Sequence, residues 1–288
     1  RIYTDGLFGV IKWLKELRST GEPWKNITIL YRTKYDTPEL EVGLAGAGIP
    51  FILRENSFFS EPTIVDLVAH LNLLYHPNYS LSDWRKVVGL LSYVGLDLCN
   101  RIWEKTNKRP LTSSLEGLTT DKVLLEAHEK LKRFLASVRA EKGLSAVVRR
   151  LRVHLDDYWT KKYVSKGRKN LHDVLLYAEG FENWVKSLPI DATGWDVVKT
   201  IETIGNDPKA ESTDAINIIT VHKFKGKQSN SVGIWNIGDG TFPLLGSGCI
   251  LEEEKRLMYV ACTRAMVNLA VFTKNESGRQ SIFGKHFR

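Results

Sequence analysis

The chain has 288 residues, of which 43% are hydrophobic and 26% charged, and its formal net charge is +8. This composition is ordinary for a globular protein, and the length suffices for two domains of about 100–200 residues. No apolar run approaches the ~20 residues that span a bilayer, so no membrane partner is expected. The three cysteines lack C-x-x-C spacing, so neither a zinc site nor a disulfide scaffold is indicated. The first residue is not Met, and we expect the chain to be part of a longer protein.

Helices and strands alternate in the first part of the chain. Apolar periodicity and turn residues predict helices at 7–19, 38–47 and 62–75, and strands at 27–31 and 49–53. A strand–helix–strand–helix order is typical of a parallel sheet covered by helices. The sequence therefore predicts a parallel α/β domain.

Strand patterns disappear from about residue 84 to about residue 209, where helical periodicity takes over, and strands resume at 216–221, 232–237 and 268–273. This order predicts a parallel-sheet α/β domain interrupted by an all-helical insertion. The predicted segments are 1–83 and 210–288 for the two parts of the α/β domain and 84–209 for the insertion.

The positive charge is concentrated in the helical segment. Residues 122–169 contain 14 Lys and Arg against five Asp and Glu, which accounts for the whole net charge. The basic residues include Arg149, Arg150, Arg152, Lys161, Lys162, Lys166, Arg168 and Lys169. Such a concentration favours contact with nucleic-acid phosphates; the alternative is a solvated helical surface.

Two strand-associated segments carry side chains suited to ligand binding. Residues 27–33, ITILYRT, place an aromatic ring and an arginine at the carboxyl end of a strand, where open α/β sheets bind ligands. In residues 216–228, INIITVHKFKGKQ, a strand is followed by a histidine and three lysines.

A third segment, residues 252–265 with the sequence EEEKRLMYVACTRA, predicts an amphipathic helix. It has an acidic start, an apolar face at Leu257, Tyr259 and Val260, and a fixed cation, Arg264, just after its end.

These three segments resemble motifs IV, V and VI of the UvrD/Rep/PcrA superfamily 1 helicases, in the order of that family. The family patterns are I-A-V-L-Y-R-T, V-x-L-M-T-I-H-K-A-K-G-L-E-F and E-E-x-R-R-L-x-Y-V-x-x-T-R-A, and GTFP at 240–243 resembles E-G-x-F-P. The resemblance covers nearly the whole chain. It implies a RecA-like (P-loop NTPase-like) domain, called 2A, interrupted by the helical subdomain 2B. It also implies a cytoplasmic, nucleoid-associated, ATP-dependent helicase that moves along single-stranded DNA.

The resemblance also implies roles for individual residues. Arg32 and Arg264 would be catalytic arginine fingers at the γ-phosphate of ATP, and Tyr31 would stack on adenine. Gln228 occupies the position of a glutamate that contacts the nucleotide. Aromatic rings and arginines suit stacking and phosphate binding.

A second set of residues is expected to contact DNA. Thr220 and His222 belong to the loop that couples DNA and ATP in the family, and Lys225 would neutralise a phosphate, although a surface lysine is the alternative. Arg149, Arg150 and Arg152 are the predicted DNA contacts of the insertion.

The sequence contains no G-x-x-x-x-G-K-[ST] loop and no acidic metal-binding motif after a strand. In the family these parts hold ATP and Mg²⁺ and belong to an N-terminal RecA-like domain of the same protein. That domain and single-stranded or duplex-junction DNA are therefore the expected partners. Without Walker A and B motifs, this chain alone is expected to be inactive as an ATPase.

The sequence departs from the family pattern in motif V, where Lys227, Gln228 and Ser229 replace Leu, Glu and Phe. The uncharged Gln228 favours an alternative function, a non-catalytic nucleic-acid-binding or partner-docking module with a degenerate helicase fold. Retention of Arg32 and Arg264 argues against that alternative. A metabolic nucleotide-binding enzyme would leave the basic helical insertion unexplained.

Overall fold

The computed structural model describes residues 1–89, 94–164, 167, 171–205, 214–246 and 248–287. The chain forms two compact units, the first from Arg1–Phe58 and Thr203–Arg288 and the second from Phe59–Glu202. The helix predicted at 62–75 packs on helices of the second unit, so the units divide at other residues than the predicted segments 1–83, 84–209 and 210–288. The limits of the functional subdomains remain a prediction.

The first unit contains one six-stranded sheet in which every strand pair is parallel. The strands are β1 (Ile2–Tyr3), β2 (Ile27–Tyr31), β3 (Phe51–Leu53), β4 (Ile216–Thr220), β5 (Ser229–Ile234) and β6 (Ala265–Phe272). Their order across the sheet is β1-β6-β5-β2-β4-β3. The predicted α/β fold with a parallel sheet is confirmed.

The two sequence segments of this unit interlock in the sheet. Strand β2, from the first segment, lies between β4 and β5, from the last, so that Thr28 pairs with Asn217 on one side and Val232 on the other. The sheet is therefore incomplete without the segments on both sides of the helical region.

Two predicted strands differ most in their limits from the observed ones, and one strand was not predicted. The strand predicted at 232–237 begins and ends earlier, at Ser229–Ile234, although Trp235 and Ile237 are buried and their backbone N–H groups still donate to Leu30 of β2 and Phe272 of β6. The strand predicted at 268–273 is Ala265–Phe272, and β1 was not predicted because two residues carry no periodicity.

Helices cover both faces of the sheet, as expected for parallel strands. They are α1 (Gly6–Ser19), α2 (Pro38–Gly46) and α10 (Leu251–Cys262), and the short α11 (Glu276–Gln280) follows β6. On one face, Trp13 of α1 and Leu40 of α2 pack with Ile29 of β2. On the other, Met258 of α10 packs with Leu30 of β2.

The second unit consists of helices joined by loops, with no strand among its described residues, which agrees with the predicted helical insertion. Its helices are α3 (Pro62–Tyr75), α4 (Leu81–Val88), α5 (Leu96–Lys105), α6 (Lys122–Arg139), α7 (Leu144–Trp159), α8 (Leu171–Ser187) and α9 (Gly194–Gly205), the last ending beyond Glu202. A π-helical turn, Thr160–Val164, extends α7. Within the described residues, no helix combines the length and the apolarity needed to cross a membrane.

Candidate functional site

Helix α10 carries the third motif segment along one face of the sheet. The residues that face the sheet are Glu254, Met258 and Ala261, which are buried and spaced at i, i+4 and i+7. The predicted apolar face at Leu257, Tyr259 and Val260 was wrong in detail. Tyr259 is 71% exposed, and its neighbour Met258 is the buried residue.

Arg32 lies directly after the carboxyl end of β2 and pairs with the first turn of α10. Its Nε is 3.1 and 3.2 Å from the two carboxylate oxygens of Glu254, and its Nη2 is 2.8 Å from Oε1. Glu254 also accepts the backbone N–H of Leu244 at 3.1 Å. The side chains are 19% and 6% exposed, so this is a largely buried, bidentate ion pair.

Tyr31 precedes Arg32 and points to the opposite face of the sheet. Its ring belongs to the core formed with α1 and α2, and only 1% of the residue is exposed. A stacked adenine needs an open ring face, which Tyr31 does not present in this structure. The predicted stacking role stays a prediction, and the burial of the ring argues against it.

Arg264 lies at the other end of α10, immediately before β6. Its guanidinium donates to the carbonyl of Val260 at 2.9 Å, to the carbonyl of Lys227 at 3.2 Å and to the hydroxyl of Thr263 at 2.9 Å. These partners are neutral, so the charge of Arg264 is retained. Glu254 and Val260 are six residues apart on the helix, a rise of about 9 Å. The structure therefore does not bring Arg32 and Arg264 together.

The second motif segment begins at the carboxyl end of β4. Thr220 donates its hydroxyl to Glu55 Oε1 at 3.1 Å, and Lys223 Nζ pairs with the same oxygen at 2.9 Å. Glu55 therefore joins the strand end to the loop that follows. His222 is exposed, but partial removal of its ring from water and the nearby charge of Arg32 lower its pKa. Lys225 is exposed.

The same loop ends at Gln228, which is exposed beside a polar cavity of about 810 Å³. Four cations line this cavity: Lys25, Arg54, Lys223 and Lys227. No carboxylate is among its described lining residues. Arg54 is held in place by Asn217, whose Oδ1 accepts from Nε and Nη2 at 2.8 and 2.6 Å. The cavity suits an anion.

Two arginines of the predicted basic cluster, Arg149 and Arg152, share one buried carboxylate. Arg149 Nε and Arg152 Nη1 lie 3.3 and 2.8 Å from the carboxylate of Glu182, and Lys186 Nζ lies 2.8 Å from it. Glu182 is only 3% exposed. Arg150 is exposed. The structure thus gives Arg149 and Arg152 a structural partner, whereas Lys166, Arg168 and Lys169 lie outside the described residues.

The sequence matches the UvrD-like helicase C-terminal domain over residues 7–276, almost its full length. The chain belongs to this helicase family. It is 27% identical over 277 residues to the ATP-dependent DNA helicase Rep of Buchnera aphidicola subsp. Schizaphis graminum, covering 85% of the chain and 41% of that protein. It is 28% identical over 278 residues to the Rep helicase of Escherichia coli K12, covering 89% and 41%. It is 24% identical over 297 residues to the PcrA helicase of Bacillus subtilis 168, covering 94% and 39%.

The chain thus spans about two fifths of the length of the curated helicases it matches. In the described part of the chain, no cluster of three or more His, Cys, Asp or Glu is arranged to hold a metal ion. The cations that could meet a nucleotide phosphate are near Gln228 and Arg264, whereas Arg32 already has a carboxylate partner. The cations near Gln228 and the unneutralised guanidinium of Arg264 suit an anionic group such as a phosphate.

Sequence reasoning missed two acidic residues that contact residues of the candidate site. In the sequence Glu254 belongs to an acidic helix start, and only its spacing to Met258 and Ala261 indicates burial. Glu55 lies in a loop after β3 with no periodicity, so no sequence signal indicated its contacts with Thr220 and Lys223.

Proposed function

We propose that the chain is the 2A and 2B part of an ATP-dependent DNA helicase that moves along single-stranded DNA and unwinds duplex. The match to the UvrD-like helicase C-terminal domain over residues 7–276 carries this proposal. The ATP site would be shared with an N-terminal RecA-like domain of the same protein, which would supply the Walker A loop and the ligands of Mg²⁺.

Arg264 is the arginine finger that the geometry supports best. Its three hydrogen bonds go to two backbone carbonyls and one hydroxyl, so its positive charge is not neutralised by a carboxylate among those partners. Such a guanidinium can stabilise the negative charge that develops on a transferred phosphoryl group. Gln228 lies next to Lys227, whose carbonyl binds Arg264, so both proposed nucleotide contacts lie at the same edge of the sheet.

Arg32 would act as a second finger only after exchanging partners. Its guanidinium is satisfied by Glu254 through two hydrogen-bonding nitrogens. A phosphate would have to compete with a buried carboxylate that is already in place. We therefore propose that Arg32 contributes to the site by holding α10 in place through Glu254. Direct contact between Arg32 and a phosphate would require this ion pair to open.

The loop that follows β4 would contact DNA. Thr220 and Lys223 are tied to Glu55, which limits the motion of the loop base, while His222 and Lys225 remain exposed. The lowered pKa of His222 keeps the imidazole neutral at neutral pH, so it would bind DNA as a hydrogen-bonding group rather than as a cation. The cations of the adjacent cavity would provide charge for the phosphates.

The decisive experiment is an ATPase assay of the full-length gene product with and without single-stranded DNA. DNA-stimulated hydrolysis that is lost in Arg264→Ala supports the proposal. The 288-residue chain alone should show no hydrolysis above the level of an Arg264→Ala preparation, because it contains no Walker A loop. Hydrolysis by the chain alone that depends on Arg264 would contradict a shared site.

A second candidate is a non-catalytic DNA-binding module with a helicase fold. The uncharged Gln228, the buried ring of Tyr31 and the pairing of Arg32 with Glu254 favour it. DNA binding by the full-length product with no ATPase activity under any DNA condition would establish this second candidate instead.

A further inference from the structure

A cavity of about 690 Å³ in the helical unit contains no residue of the three motif segments. It lies beside the carboxyl end of α3 and along α6, and its size falls within the ~300–1,000 Å³ of ligand pockets. Leu73, Leu74 and Leu135 contribute a buried apolar wall. The aromatic side chains of Tyr75, His76 and Tyr79 also line it.

The charge of the cavity is positive. Lys132, Arg133 and Arg139 line it together with a single carboxylate, Glu129, among the described lining residues. Lys132 Nζ pairs with Glu129 at 3.2 Å, which compensates that carboxylate. Arg133 Nε donates to the carbonyl of Glu129 at 3.3 Å, and Arg139 Nη2 donates to the carbonyl of Leu74 at 2.6 Å. Because those acceptors are neutral, both arginines retain their charge for an anion.

The two tyrosine rings are held in fixed positions. A Cβ atom at residue 194 would lie 2.2 Å from the ring of Tyr75, so only a glycine at that position, Gly194, allows the helix α9 to begin against this ring. The ring of Tyr79 meets Trp103 edge-on, with centroids 5.8 Å apart. Burial raises the pKa of both phenols, so they are uncharged at neutral pH and do not repel an anion.

We propose that this cavity binds a nucleotide of single-stranded DNA, with the base against Tyr75 or Tyr79 and the phosphate against Arg133 and Arg139. An aromatic surface combined with cations is the arrangement that proteins use for single-stranded nucleic acid without sequence preference. The excess of Lys and Arg over residues 122–169 extends beyond the cavity, which favours a polyanion over a free nucleotide. This inference rests on DNA being the substrate of the proposed helicase.

The test uses an oligothymidylate that contains 5-iododeoxyuridine, photo-crosslinked to the 288-residue chain and mapped by mass spectrometry. We expect a crosslink at Tyr75 or Tyr79 that an unlabelled oligothymidylate displaces and ATP does not. Crosslinks confined to residues 220–228 would overturn the proposal. Displacement by ATP but not by the oligothymidylate would identify a free-nucleotide site and would also overturn it.

Matched variants on α6 test the charge contribution. Arg133 is exposed, so Arg133→Ala should leave the fold intact and weaken oligothymidylate binding several-fold. One lost phosphate contact should flatten the slope of log K against log salt by about 0.7. Lys130→Ala is the control, because Lys130 does not line the cavity and pairs with Glu126 at 2.9 Å. Equal slopes for Arg133→Ala and Lys130→Ala would contradict the phosphate contact.

A base contact is tested separately by comparing oligothymidylate with an abasic deoxyribose-phosphate oligomer of the same length. Stacking on a tyrosine should make the thymidylate bind roughly tenfold more tightly, and equal affinities would contradict stacking. The outcomes separate the two proposals. A Tyr75 or Tyr79 crosslink in a protein without DNA-stimulated ATPase activity would reject the helicase function and support the binding of single-stranded DNA in the cavity. DNA-stimulated ATPase activity without the crosslink would support the helicase function and reject the cavity as a nucleotide site.

Discussion

The guanidinium of Arg32 and the carboxylate of Glu254 form a bidentate ion pair that joins the end of β2 to the first turn of α10. The two residues are 222 positions apart in the sequence. The backbone N–H of Leu244 donates to the same carboxylate, so Glu254 connects three parts of the first unit. The pair gives a motif IV arginine and a motif VI glutamate a structural role in addition to any role in nucleotide binding.

Breaking this ion pair should destabilise the first unit. Glu254→Gln keeps an acceptor for Leu244 but leaves the charge of Arg32 without its partner. Loss of one member of a fully buried pair costs about 3–5 kcal/mol, and we expect less here, about 2 kcal/mol, because Arg32 is 19% exposed. Urea unfolding of the chain measures the effect. Glu253→Gln, an exposed neighbour on the same helix, is the control. Equal stability of the two variants would show that the pair contributes little.

Arg264→Ala in the full-length product should lower kcat strongly and leave DNA affinity nearly unchanged. Arginine fingers contribute on the order of 10³–10⁵ in rate, because they act on charge that develops in the transition state. Steady-state ATPase kinetics at saturating single-stranded DNA measure the effect. The control is Lys255→Ala, which removes an exposed cation from the same helix. Wild-type turnover in Arg264→Ala would rule out the assignment.

Gln228→Glu should strengthen nucleotide binding if Gln228 is a weakened family contact. The side chain is exposed, so the change can be made without disturbing the core. A lower KM for ATP in the full-length product, with an unchanged unfolding midpoint, is the expected result. No change in KM or kcat would place this position outside the nucleotide site.

The basic cluster on α7 should separate into structural and DNA-binding members. Arg149→Ala combined with Arg152→Ala should lower the unfolding midpoint, because Glu182 is buried and would keep only Lys186 of these three partners. Arg150→Ala should leave stability unchanged. If Arg150 contacts a DNA phosphate, the salt slope of binding should flatten by about 0.7–0.9. A salt titration of DNA affinity together with circular dichroism melting distinguishes these effects, and an unchanged slope would assign Arg150 to a solvated surface.

The helical unit should lose stability as the pH falls from about 6.5 to about 4. Burial lowers the pKa of His70 to about 4, and Nε2 of His70 has no hydrogen-bond partner among the described residues. Between the two pKa values the unfolded chain binds the proton and the folded chain does not, so the free energy of unfolding decreases on acidification. The loss is on the order of 3 kcal/mol and is complete below pH 4. His70→Gln should show a flatter profile in urea unfolding between pH 7 and 4, and an identical profile would exclude His70.

Local sequence patterns were sufficient for the parallel α/β sheet, the helical interruption and the three motif segments. Residues 27–31 and 216–220 are rich in β-branched residues, and residues 252–262 have apolar residues at helical spacing. Each of these elements can therefore be recognised from its own local sequence. The match to the helicase family covers residues 7–276 and therefore includes all three segments.

The partners of the site residues were decided by tertiary structure. Strand order places Arg32 beside Glu254 and buries Tyr31 under two helices, and helix packing places Glu182 beneath Arg149 and Arg152. A sequence pattern specifies which face of an element is apolar. It does not specify which distant carboxylate will meet a given arginine, because that depends on how strands and helices from separate segments are arranged in space.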